Sequence, residues 1–131
     1  MEFALNVPIN SVSFGQVSTA LLREAYKRNL EPSIFPVGGS VDLSSQPEDA
    51  DFFKWIKNLV GKSIKEFNKN TPVIKLWHLN GGMESFGKKQ ILITFYELDS
   101  PTAEEINTAK NNDKILFTSE YTANLFKERG V

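Results

Sequence analysis

A single histidine and a few carboxylates near apolar runs bound the chemistry open to this 131-residue chain. His78 directly follows the strand-like segment Val73–Trp77 and precedes Asn80 and two glycines. An imidazole there is suited to orient a hydroxyl or to carry a proton, although a lone histidine also serves as a hydrogen-bonded structural residue. Glu97 and Asp99 follow the run Ile91–Phe95. They suit a general base or a pair that grips hydroxyls. A helix cap at Asp99 or Ser100 is the competing explanation, and it accounts for Glu97 less well. With one histidine and no cysteine, a thiolate nucleophile and a Cys-based metal site are excluded. Glu84, Glu97 and Asp99 remain as oxygen donors, and no metal is expected.

Two glycine patterns bear on phosphate. Gly82 to Lys88 has the G-x-x-x-x-G-K form of a phosphate loop, but Lys89 stands where the magnesium-binding Ser or Thr belongs. The chain also enters a strand there rather than a helix, so the pattern is discarded. No G-x-G-x-x-G is present. The turn after the first strand is different. Gly15 stands in the first turn of a helix, where free N–H groups and the dipole favour an anion. Gly15 there either lets a diphosphate approach the backbone or relieves crowding against the sheet.

These residues are positioned by an alternation of short apolar runs and amphipathic stretches. Strands are expected over Phe3–Val7, Ser33–Val37, Val73–Trp77, Ile91–Phe95 and Ile115–Phe117. Ser13 with Gln16 forms a capping-box pattern ahead of Val17, Leu21, Leu22 and Ala25, with Lys27, Arg28 and Asn29 at the helix end. Ser45 with Glu48 opens a longer helix carrying Phe52, Ile56, Leu59, Val60, Ile64 and Phe67. Ser100-Pro101 starts a third, with Glu104 and Glu105 near its positive end, and Ser119 caps a fourth with Leu125 and Phe126. Leu79–Lys89 reads as an irregular loop, and Trp55 and Trp77 read as core or interface packing.

Five strands separated by helical patterns predict an α/β fold, a three-layer Rossmann-like domain with a mainly parallel five-stranded sheet, over 1–131 as one domain. Ligands of such sheets bind beyond the carboxyl ends of the strands. The 40% hydrophobic and 24% charged composition is globular, and a net charge of −1 argues against a nucleic-acid partner or a polybasic membrane anchor. No transmembrane segment or basic leader is read, so a soluble cytoplasmic domain is expected. A receiver-like domain would need an acidic pair after the first strand, and Val7-Pro8-Ile9 offers none.

The last 40 residues carry a longer pattern. Leu92-Ile-Thr-Phe-Tyr96-Glu97-Leu-Asp99-Ser100-Pro101 is followed by a helix. Then comes Lys114-Ile-Leu-Phe-Thr-Ser119-Glu-Tyr-Thr-Ala-Asn-Leu-Phe126-Lys-Glu-Arg-Gly130-Val131. This resembles the N-terminal, acceptor-side domain of GT-B glycosyltransferases, nearest to the retaining family 4 group. Pro8-Ile9-Asn10 and Ser13-Phe14-Gly15 resemble the family's first strand loop. The resemblance implies a transferase moving a sugar from a nucleotide-sugar donor to an acceptor, retaining and without a metal or other cofactor. It implies Gly15, with Asn10 and Ser13, at the donor diphosphate, and His78 and Glu97 lining the sugar or acceptor cleft as catalytic residues. Ser119 matches a position that caps a helix. Tyr96 departs from the family, where tryptophan is usual before the glutamate. The family's C-terminal donor-binding domain has no counterpart in these residues, so the chain by itself is expected to be inactive. That domain, or a second copy of the chain, is the expected partner at the face left bare. The alternative is a non-catalytic Rossmann-like binding or protein-interaction module.

Overall fold

The computed structural model describes residues 3–79, 82, 87–96 and 100–131. Along the chain run β1 (Ala4–Ile9), α1 (Ser13–Lys27), β2 (Ser33–Val41), α2 (Ala50–Glu66), β3 (Val73–Leu76), β4 (Gln90–Thr94), α3 (Ala103–Asn111), β5 (Lys114–Phe117) and α4 (Glu120–Lys127). The strands form one sheet in the order β2-β1-β3-β4-β5, and every pairing is parallel. The chain steps from β1 outward to β2, then returns to the far side of β1 and continues. That reversal between β1 and β3 opens the crevice where doubly wound sheets bind ligands.

The pleat divides the strands between two cores. Leu5, Val7 and Ile9 of β1 join Ile34 and Leu76 on one face, packed with Leu22 of α1 and with Phe52, Ile56 and Leu59 of α2. Leu92 of β4 points to the other face, where Ala109 of α3 and Phe126 of α4 meet it. The molecule is therefore a three-layer, Rossmann-like α/β fold, as the alternation of patterns predicts. The first two helices are clamped together by rings. Tyr26 lies 5.4 Å from Phe52 and 5.2 Å from Trp55, and the Arg23 guanidinium sits 4.4 Å above Phe52. The open edge of β2 is tied to α2 as well. Ile34 N–H, facing away from β1, donates to Ser63 Oγ at 2.7 Å.

Several boundaries differ from expectation. β2 runs on through Gly38 and Gly39 to Val41, because both glycines take positive φ, 81° and 82°. The register jumps there, from Val7 opposite Pro36 to Ile9 opposite Val41, so the glycines form a bulge rather than a stop. Neither of the first two expected capping boxes forms. Gln16 donates instead to Ser11 O and Ser45 Oγ and accepts from Gln46, and the residue before α1, Val12, gives no side-chain cap. α2 starts at Ala50 with Asp49 as its cap, accepting from Phe52 N–H at 3.1 Å. α3 is capped by Thr102 rather than Ser100, in a full capping box with Glu105. Ser119 does cap α4, accepting from Thr122 N–H.

The helix ends are explicit in the chain. Asn29 adopts φ 56° after α1, with Asn29 N–H donating to Tyr26 O and Leu30 N–H to Ala25 O. Gly130, φ 88°, repeats this after α4: its N–H donates to Lys127 O, and Val131 N–H to Phe126 O. Both are Schellman stops, and Val131 packs back onto the Phe126 cluster as that motif requires. The Phe126-x-x-x-Gly130-Val131 pattern thus has a complete structural explanation.

Candidate functional site

The crevice is built by a proline. Ala4 N–H donates to Pro72 O on the β3 side, and the alternation of the backbone points the nitrogens of Asn6 and residue 8 the same way. Residue 8 is a proline without a donor. The β1–β3 register accordingly ends at Asn6 opposite Lys75, while β1–β2 continues to Ile9. The two central strands part at their carboxyl ends, between the Asn10–Gly15 turn on one side and Trp77–His78 on the other.

The turn is held from within. Asn10 Oδ1 accepts from Val12 N–H at 3.1 Å. Gly15 is buried, and a Cβ there would collide with the carbonyl oxygen and side chain of Asn10. Close packing of helix on turn therefore accounts for this glycine. Ser13 is exposed in the first turn of α1, a turn with no acidic residue. An uncapped, acid-free N-terminus leaves backbone N–H groups available to an anion. Just beside it, Asp42 N–H donates to Ile9 O, and the Asp42 carboxyl is held below its ordinary range by the Ser44 hydroxyl and N–H.

Across the crevice lies an aromatic cluster. The Phe14 ring is 4.5 Å from His78 and 5.2 Å from Phe95, both edge-on, and 6.1 Å from Trp77. Trp77 and His78 are 5.0 Å apart. Phe14 and Trp77 are half-buried, whereas His78 is exposed and Phe95 is 36% exposed. Asn10, Ser13 and Gly15 thus share one turn, and Phe14 brings that turn to His78. Glu97, with Asn80, Glu84 and Asp99, lies outside the described residues. Among the described residues no three His, Asp or Glu side chains are grouped to hold a metal ion.

Phe14 and Phe95 were not legible as site residues, because a phenylalanine beside a strand reads as core. The available signal was parity: Phe95 is one past the buried Thr94 and so faces the other side of the sheet, beyond β4's last residue. The glycines of the discarded phosphate-loop pattern serve packing. A Cβ on Gly82 would meet Leu92 Cδ2 at 2.6 Å, and one on Gly87 would meet Thr71 O at 3.0 Å. Ser119 stays at its helix cap. Among the described residues no helix is long and apolar enough to cross a membrane. No family model, curated protein or solved structure matches the chain.

Proposed function

We propose that this domain is the acceptor-side lobe of a two-lobed glycosyltransferase, working on a nucleotide-sugar donor. The observation that carries the reading is the pairing, across one crevice, of an uncapped helix N-terminus with an exposed histidine. The first suits a diphosphate, and the second suits a sugar hydroxyl. The tail pattern from Leu92 to Val131 and the Pro8–Gly15 turn supply the family likeness. In this reading the N–H groups of the first turn of α1 stabilise the leaving diphosphate, with Asn10 and Ser13 at its edge and Gly15 admitting the helix to that turn. His78 and Glu97 line the sugar side. Rate then comes from positioning and from fixed dipoles aimed at developing charge, without a metal.

Amide NMR spectra of the chain, titrated with millimolar UDP-, GDP- and ADP-glucose, test this. One nucleotide sugar is expected to shift the amides of Val12 to Gln16 and of His78. Shifts confined to other surfaces, or none with any donor, overturn the reading.

A second reading, a non-catalytic interaction module, is favoured by one feature. Leu116, opposite Ile93 in the register, is 43% exposed on the same sheet face as Phe95. Such a face suits burial against another protein. Sedimentation equilibrium separates the two: a stable oligomer broken by L116K, with no response to nucleotide sugars, supports the module instead.

A further inference from the structure

At the end of the sheet away from the crevice, the amino ends of β1 and β2 and the last turns of α2 enclose a cavity of about 320 Å3. Its walls are pinned by bonds within the fold. Ser33 N–H donates to Phe3 O at 3.1 Å, Ile34 N–H to Ser63 Oγ at 2.7 Å and Thr71 N–H to Asn68 O at 2.9 Å. Phe3 and Leu59 give the cavity an apolar side. Thr71 also lines it and is 8% exposed, yet its hydroxyl has no hydrogen-bond partner among the described residues. A polar side chain buried to that degree ordinarily has one. The oxygens of Asn6, Gln90 and Thr94 that lack a partner are fully enclosed, whereas that of Thr71 stays open to the cavity.

Charge selects the occupant. The charged side chains on the cavity wall are Glu31, Lys62 and Glu66. Lys62 Nζ lies 3.9 Å from Glu66, while Glu31 has no ion pair or hydrogen bond among the described residues. Glu66 is also the last residue of α2, so the negative end of that helix borders the cavity. Among the described residues no N–H returns to the carbonyls of Ile64, Lys65 and Glu66, unlike the stops of α1 and α4. We infer that the cavity binds a primary amine on a short hydrocarbon body. The ammonium donates to the Glu31 carboxylate and to Thr71 Oγ1, and the chain lies against Phe3 and Leu59. An anion would meet a carboxylate and a negative helix end, and a neutral alcohol would leave Glu31 without its counter-charge. A nucleotide is too large, because the volume is at the low end of the roughly 300–1,000 Å3 of ligand pockets. No residue of the crevice takes part, so the inference stands apart from both readings above.

Amide NMR spectra of the chain, titrated in turn with n-pentylamine, 1-pentanol and pentanoate, test this. Pentylamine is expected to shift the amides of Ser33, Ser63 and Thr71 saturably. Pentanol is expected to bind about threefold more weakly, the worth of one exposed charge contact, and pentanoate to leave those amides unmoved. E31Q is expected to weaken pentylamine by about threefold, for the same reason. T71V keeps the shape of the wall but removes the hydroxyl, and is expected to weaken it by about fivefold. Amide dispersion confirms the fold of each variant. The inference is overturned if pentylamine moves none of the three amides, or if pentanol or pentanoate matches it. Unchanged affinity in either folded variant overturns it too. Shifts of equal size spread over Asp42 to Asp51 would mean counter-ion binding to any acidic surface, and would overturn it as well.

Discussion

At the scale of single residues, Gly15 separates two explanations by the sign of one measurement. Its φ is ordinary, so alanine there suffers no backbone strain and gains the helix preference of about 1 kcal/mol over glycine. Against that stands the overlap of the new Cβ with Asn10, whose carbonyl belongs to a turn bound on both sides. Overpacking of this kind costs about 1–3 kcal/mol, so G15A is expected to lower unfolding free energy in urea by about 1 kcal/mol net. A G15A variant more stable than the parent would mean that the turn yields, leaving the glycine to a ligand. Glu24 offers a second residue-scale test. The hydrogen bond from Arg28 and the charge of its guanidinium hold the Glu24 carboxyl below its ordinary 4.5. A folded-state value below the unfolded one means a stabilisation present above the unfolded pKa and lost as pH falls through the lowered one. E24Q is therefore expected to be less stable than the parent at pH 7 and to converge with it in acid. Because the pair is exposed, added salt should shrink the difference. A gap that persists at acid pH would refute the assignment to charge.

At the scale of elements, the strands and helices were legible from apolar spacing, and so were the starts of α1 and α4, while those of α2 and α3 were not. Ser13-x-x-Gln16, Ser45-x-x-Glu48 and Thr102-x-x-Glu105 all carry the capping-box form, yet only the last is formed. For Gln16 the difference lies in distant partners, and for Ser45 in a competitor close by in the chain. Gln16 is drawn away by Ser45 and Gln46, and Asp49 competes with Ser45 by bonding directly to Phe52 N–H. A local pattern cannot display a contact made about thirty residues away. Thr102 has a further hold, since Glu105 both returns a bond to its N–H and accepts from the Tyr96 hydroxyl. T102A is accordingly expected to cost about 1 kcal/mol and S100A to stay within about 0.5 kcal/mol, both read from urea midpoints. Equal losses would restore Ser100 as the cap. The candidate site was half legible for the same reason. His78 stands out by type past a strand end and Gly15 at the start of α1, whereas Phe14 and Phe95 meet His78 and each other only through a strand order that periodicity does not reveal.

At the scale of the whole molecule, the sheet divides two cores of unequal size, and that asymmetry predicts how the fold opens. One side buries Leu5, Val7, Ile34, Phe52 and Ile56 together, all at or below 4% exposure, with α2 bonded along the β2 edge. The other holds Leu79, Leu92, Ala109 and Phe126, with β5 at an edge whose residues are at best half-buried. Phe126 anchors that smaller side, 4.7 Å from Phe117 and 5.2 Å from Tyr96. Local opening follows the density of buried apolar contacts, so amides of α3, β5 and α4 are expected to exchange with deuterium at lower free energy than those of β1. F126A sharpens the test. Deleting a buried phenylalanine ring costs about 3–5 kcal/mol. If the two cores open separately, protection in F126A collapses from Ala103 onward while β1 keeps most of its own. If every amide loses the same free energy, the sheet couples both layers into one unit. The crevice between β1 and β3 would then have no rigid side. The separable outcome places Asn10, Phe14 and Gly15 on the more stable side of the molecule and Phe95 near the boundary. Adjustment to a ligand would then come from the β4–β5 side, moving against a fixed turn.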